Sequence, residues 1–143
     1  MTVATTLAAF NSLHDAITGV SVATAPPSIP SVRLPAAVTI PGEATWDLHA
    51  TSIRRQERVY LVRVYVAPVA QGRGNDEAWT RAVPLLEAFG QAYIANSNLS
   101  GAVDQIGWDG NPVTDSGIVT LDHQGTLYHG FEYRVPVIEK VVI

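Results

Sequence analysis

The sequence predicts a single α+β domain, with two helices packed on one face of an antiparallel or mixed β-sheet in the order α-β-β-β-α-β-β. Residues 58–70 are rich in β-branched and aromatic residues and carry apolar side chains on both faces, which is typical of a central strand. Residues 2–18 and 76–96 repeat apolar residues at three- and four-residue spacing, which predicts two amphipathic helices. A length of 143 residues suits one domain.

Prolines and glycines divide the rest of the chain into strands and turns. Five prolines between positions 26 and 41 predict an extended crossing that contains a short strand at 36–40. A second strand at 45–54 is expected to turn through the polar residues 54–57 into the central strand. Residues 118–122 and 127–140 predict a closing hairpin. In its second strand, Gly130 predicts a bulge, and Pro136 predicts an edge position or the end of regular pairing.

The second helix and the loop after it have their own local signals. Asn75 or Asp76 is placed to cap the helix, and Pro84 predicts either a kink or a short first turn that restarts there. The Gly-, Asp- and Asn-rich residues 101–117 predict a long ordered loop with a short strand at 103–108. The residues expected in the core are Leu61, Val64, Leu86, Phe89 and Phe131.

Composition narrows the classes of function. Charged residues make up only 15% of the chain and the net charge is −4, which argues against nucleic acid as the main partner. Two explanations fit this low number of charges. Part of the surface is buried in an assembly, or the chain is an ordinary, slightly apolar domain. The absence of cysteine excludes disulfides and thiol catalysis. With no apolar run of about 20 residues and no basic start, the chain is expected to be soluble, made in the cytoplasm and free of membrane.

The histidines are the first candidates for catalytic or metal-binding residues. Asp47 and His49 lie two apart on a predicted strand, so their side chains point the same way, but they have no nearby third partner. His123 and His129 flank the last turn and form, with Asp122, the most metal-like cluster if they face one another across the hairpin. Polarity at a hairpin tip explains the same residues, and we favour that interpretation.

Two further groups also have ordinary explanations. His14 lies on or beside the apolar face of the first helix and is interpreted as a packed or rim histidine. The loop 101–117 carries four side chains with oxygen atoms that could bind calcium. Their spacing is not that of a calcium-binding loop. They are Asp104, Asp109, Asn111 and Asp115. We therefore expect no catalytic residues, no cofactor and no metal.

The order of features resembles the tail terminator, or tail completion, proteins of phages with long non-contractile tails. The similar pieces are a short N-terminal helix, the Pro-rich crossing into residues 34–42, an arginine-bearing hairpin leading into 58–69, the helix 76–96 and the hairpin 117–140. The resemblance covers nearly the whole chain, but it lies in the pattern of predicted elements and not in a diagnostic motif. It implies a ring, typically a hexamer, that caps the finished tail tube, stops its polymerisation and presents a surface to the head connector. The implied location is the head-proximal end of the virion tail.

On this hypothesis, one contact with a neighbouring subunit includes the polar hairpin tip. The loops 71–75 and 101–117 are available for neighbouring subunits or for the tube, because loops carry adaptable contacts on a rigid sheet. The candidate interface residues are Arg54, Arg55, Arg58, Gln71, Arg73, Asn75, Trp108 and Asp109. Two alternatives stay open. One is another neck or head–tail joining protein of similar fold. The other is a small ligand-binding or hydrolytic domain in which at least three of Asp47, His49, His123 and His129 converge.

Overall fold

The computed structural model describes residues 3–24, 34–48, 53–69 and 74–142. The helices in these ranges are α1 (Val3–Asp15) and α2 (Gly74–Ala95), and a 3₁₀ turn (Leu99–Gly101) follows α2. The strands are β1 (Val22–Thr24), β2 (Ala36–Leu48), β3 (Ile53–Pro68), β4 (Gln105–Ile106), β5 (Thr114–Asp115), β6 (Val119–His123) and β7 (Thr126–Val142). No helix in the described ranges is long and apolar enough to cross a lipid bilayer.

The strands form one mixed sheet. β1 runs parallel to β2, whereas the other described pairs are antiparallel. The order is β1-β2-β3-β7, and the short strands β4, β5 and β6 all pair with the outer edge of β7. β3 therefore lies between β2 and β7, as predicted for a strand with apolar side chains on both faces. The predicted α+β class, with both helices on the sheet, is confirmed.

One face of the sheet and both helices share the main core. Alternate residues of β3 are fully buried there, and they are Tyr60, Val62, Val64 and Val66. Phe10 of α1 and Phe89 of α2 pack against this face. Each large apolar side chain buried in this way contributes about 1.5–3 kcal/mol to stability. The opposite face carries a much smaller cluster around Val38, Tyr65 and Tyr128.

The predicted core is correct for most of its members. Val64, Phe89 and Phe131 are fully buried, whereas Leu86 is only partly buried against the same cluster, so its prediction is correct only in part. Leu61 is only partly buried, because strand alternation places it on the face opposite the helices. The prediction that Leu61 is a core residue is therefore wrong.

The two strands predicted at 36–40 and 45–54 are a single strand, β2. Pro41 pairs with Tyr60, and the register then shifts before Ala44 pairs with Arg58, so the proline and the following glycine mark a bulge inside the strand. A Cβ on Gly42 would lie 2.7 Å from the Val59 carbonyl oxygen, so this close approach of two strands requires glycine.

The turn predicted at 54–57 is also wrong. These residues belong to β3, where they pair with β2 on one side and with β7 on the other. The connection from β2 to β3 falls at 49–52, outside the described residues. Polar side chains on consecutive residues suggested a turn, but β3 accommodates them on its two faces. Gln56 is buried as the cross-strand neighbour of Glu139, and Arg55 and Glu57 pair with each other on the opposite face.

The predictions made for Pro84, Gly130 and Pro136 had different outcomes. α2 runs as one helix through Pro84, so the predicted restart is wrong. The bulge predicted at Gly130 is present, with the extra residue of β3 at Val66, and a Cβ on Gly130 would collide with a β3 carbonyl oxygen. Pro136 lies at a gap in the pairing along one side of β7, between the residues paired with β4 (137–138) and those paired with β5 (133–134), so the predicted end of regular pairing is confirmed. The Pro136 carbonyl accepts from Gly107 N–H at 2.8 Å, so its nitrogen faces the interval between β4 and β5, where no ladder bond is lost.

Candidate assembly surfaces

The histidines of the closing hairpin do not converge. His123 lies on the same face as Tyr65, with the ring centroids 5.7 Å apart, whereas strand alternation places His129 on the opposite face. Asp122 accepts the Gly125 N–H at 3.0 Å and so has a role in the turn. The expectation that the two histidines face one another across the hairpin is wrong.

The other candidate ligands are separate or serve the loop. The Asp47 side chain and His49 lie outside the described residues. Asp115 accepts the Gly117 N–H at 2.8 Å, and Asn111 accepts from Arg134 at 2.8 Å. In the part of the chain that the structure describes, no three His, Asp or Glu side chains form a group that could hold a metal ion.

His14 is a core residue. It is fully buried, its Nε2 lies 2.7 Å from the Tyr93 hydroxyl oxygen, and its Nδ1 lies 3.4 Å from the Thr39 hydroxyl oxygen. The rings of Phe10 and Phe89 lie against the imidazole, with centroids 5.7 and 5.0 Å away. Burial among these side chains lowers the pKa of His14 to about 3, so the imidazole is neutral at physiological pH. The interpretation of His14 as a packed histidine is confirmed.

A buried polar network, which the sequence did not reveal, joins α1 to the sheet. Glu139 is fully buried, and its Oε1 accepts hydrogen bonds from the hydroxyls of Thr6 and Tyr60, each at 2.8 Å. The other carboxylate oxygen has no protein partner. Burial, reinforced by the Glu139 charge, raises the pKa of Tyr60 above its usual range, so its hydroxyl stays a donor. The network fixes the start of α1 over the far end of the sheet.

The arginines predicted at a hairpin tip lie along β3. Arg54 belongs to this strand, although its side chain is outside the described part of the structure. Arg55 pairs with Glu57 at 2.8 Å, on two side chains that are each about one-third exposed, so the pair adds little stability. Arg58 donates to the Gly42 carbonyl at 2.8 Å and therefore holds the bulge of β2.

The remaining predicted interface residues fall into two groups. Gln71 and Arg73 lie outside the described residues. Asn75 is in the first turn of α2, which begins at Gly74 rather than after the predicted cap, and its side chain is not described. Trp108 and Asp109, by contrast, lie together in the wall of a surface groove.

This groove lies between the C-terminal half of α2 and the loop that follows it. Its volume is about 850 Å³, within the range of roughly 300–1,000 Å³ that is typical of binding clefts. The lining is mainly apolar and includes Tyr93, Ile94, Ile106, Trp108, Pro112 and Val113. The charged side chains in the wall, Asp109 and Asp115, are both acidic.

α2 carries a second apolar stripe beside the one that faces the core. Trp79, Val83, Leu86, Gly90 and Ile94 follow one another at spacings of three and four residues, so they share one side of the helix. Trp79, Val83 and Ile94 are 51, 46 and 84% exposed. Gly90 and Ile94 also line the groove, so stripe and groove form one continuous surface, here called the α2 surface.

A further large apolar side chain is exposed on the hairpin formed by β2 and β3. The distal part of the β2–β3 hairpin, residues 44–48 with 53–58, is here called the β2–β3 arm. Trp46 lies on this arm, pairs with Gln56 and is 54% exposed. Exposed tryptophans of this kind are enriched at the centres of protein interfaces.

No protein-family model matches the chain, and no curated protein shows significant sequence similarity to it.

Proposed function

We propose that this chain is a tail terminator of a phage with a long non-contractile tail. In this role it forms a ring on the end of the tail tube, stops addition of the tube protein and offers a surface for attachment of the head. The ring, the tube and the head connector are its partners, and the function lies in shape and contact rather than in chemistry.

The observation that carries this proposal is the presence of two different exposed apolar surfaces on one subunit. A closed ring is built from head-to-tail contacts, each of which joins two unlike patches. The β2–β3 arm with Trp46 and the α2 surface with Trp79, Val83 and Ile94 are two such patches. Their location on separate elements of an α+β sheet domain agrees with the resemblance in the order of elements.

The experiment adds the purified chain to polymerising tube protein from the genome that encodes it, followed by electron microscopy of negatively stained tubes. We expect tubes of limited length with extra density at one end, whereas tube protein alone continues to grow. Tubes that grow equally long in the presence of the chain, with no density at their ends, would refute the proposal.

The same genome separates the closest alternative, a head–tail joining protein. Without a tail terminator, infected cells accumulate overlong tails. Without a joining protein, they accumulate tails of normal length and separate filled heads. Deletion of the gene followed by measurement of tail length therefore decides between these two structural roles.

A further inference from the structure

We infer that the groove on the α2 surface binds the β2–β3 arm of a second copy of this chain, with Trp46 inserted among the apolar side chains of the groove. The inference deepens the proposed function and rests on it for the closure of these contacts into a ring. The contact itself is a property of the chain alone.

The first support is the fit between an exposed aromatic side chain and an apolar groove. Trp46 is 54% exposed within its own chain, so this side chain keeps much of its apolar surface available for a partner. The groove offers aromatic and aliphatic walls from Tyr93, Ile94 and Trp108 and has a volume of about 850 Å³. Full burial of a tryptophan removes roughly 150–250 Å² from water, which makes it a strong anchor at an interface.

The second support is charge complementarity. The charged side chains in the groove wall, Asp109 and Asp115, are both acidic. The arm segments 44–48 and 53–58 carry three arginines and two acidic residues. An acidic groove attracts a basic arm and repels a second acidic groove, so the charges favour contact between unlike surfaces over a two-fold contact of α2 with α2.

The two surfaces also differ in location, which sets the symmetry. The arm is the distal end of a hairpin on the β2 side of the sheet, whereas the groove lies between α2 and the loop beside β7. Within one chain the two surfaces adjoin at Trp108, which also lines a small pocket with Ala44, Thr45 and Arg58. When the arm of one copy binds the groove of another copy, the groove of the first copy and the arm of the second copy stay free. Each new copy therefore repeats the same contact, and the series closes into a ring if the rotation between copies allows it.

Engineered cysteines test this contact directly, because the chain has no cysteine of its own. One sample carries Ala44→Cys, two residues from Trp46 on the same face of β2, and the other carries Ser97→Cys in the groove wall, so that Trp46 and Ile94 both stay in place. The two samples are mixed under mild oxidation at the highest soluble concentration. We expect disulfide-linked dimers in the mixture and little in either sample alone. A chain with both substitutions is expected to form a ladder of linked oligomers.

A matched control replaces Ser97→Cys by Leu127→Cys, an exposed position, 47% exposed, on the β6–β7 hairpin. Mixed with Ala44→Cys, this variant is expected to stay unlinked. Absence of the link between positions 44 and 97, or equal linking to position 127, would overturn the inference. Efficient linking of Ser97→Cys to itself would show a two-fold contact of α2 surfaces and would overturn it as well.

A second variant makes the result independent of cysteine chemistry. Ile94→Arg is expected to weaken self-association by at least about tenfold in native mass spectrometry, since it places a charge where the anchor packs. Leu127→Arg serves as the control with unchanged association. If the link fails while tube growth still stops, the contact is wrong and the proposed function stands. If the link forms but tube growth is unaffected, the contact stands and the proposed function is wrong.

Discussion

Acidification is expected to destabilise this protein through His14. An imidazole in the unfolded chain takes up a proton near pH 6.5, whereas burial lowers the pKa of His14 in the folded state to about 3. Between these values the unfolded state binds one more proton than the folded state. The contribution of His14 to stability is therefore complete above pH 6.5 and is lost progressively as the pH falls towards 3.

The magnitude follows from the difference between the two pKa values. Each pH unit below about 6.5 costs about 1.4 kcal/mol of the free energy of unfolding, so about 2 kcal/mol is lost between about pH 7.5 and pH 5. The site is fully buried, so solvent does not reduce this value. Phe10, Phe89 and Tyr93 surround the ring, and a charged imidazole there would have no acidic partner among its described contacts.

Urea denaturation monitored by tryptophan fluorescence at several pH values measures the effect. His14→Gln keeps a polar group at this position but cannot titrate, so its stability is expected to fall by about 2 kcal/mol less over the same pH range. Thr39→Val is the control, because it removes a hydroxyl 3.4 Å from His14 and leaves the titrating group in place. Its stability is expected to be lower at every pH with the wild-type slope. Equal slopes for wild type and His14→Gln would refute the reasoning.

Two further substitutions test the packing. Phe89→Ala is expected to cost about 3–5 kcal/mol in urea denaturation, because it empties the centre of the core, whereas Leu61→Ala on the opposite face should cost clearly less; equal losses would contradict the assignment of faces. Glu139→Gln keeps an acceptor for the Thr6 and Tyr60 hydroxyls, whereas Glu139→Ala removes the acceptor of both hydrogen bonds. The alanine variant is therefore expected to be less stable than the glutamine variant by about 1–3 kcal/mol, and the reverse order would show that the network does not stabilise the fold.

The fold was predictable where the residue pattern is long and regular. β3 combines β-branched and aromatic residues over many positions, which predicted a central strand but not which of its two apolar faces meets the helices. The helical periodicity of α2 was equally clear. Prediction failed where the same residues are compatible with two different local structures. The pair Pro41-Gly42 is typical of a chain break, yet here it forms a bulge that only a neighbouring strand makes possible.

The candidate sites were harder to predict, because they depend on which face a residue occupies. His123 and His129 are six positions apart across a turn, and only the register of β6 and β7 shows that they lie on opposite faces. Glu139 near the end of β7 reads as a surface residue in sequence. It is buried because α1 begins above it, a contact between residues 133 positions apart that no local pattern encodes.

α2 illustrates how core and assembly surfaces merge in a sequence. One stripe, with Leu85, Phe89 and Tyr93, faces the sheet, and the second stripe, from Trp79 to Ile94, lies beside it and is exposed. A helix on a single sheet uses an apolar arc of about 100°, so periodicity alone assigns both stripes to one broad core face. An apolar arc wider than one sheet can cover needs a second partner. Charged residues make up only 15% of the chain. This low content follows if that partner is another protein surface, because the second stripe then occupies surface that charged residues would otherwise cover.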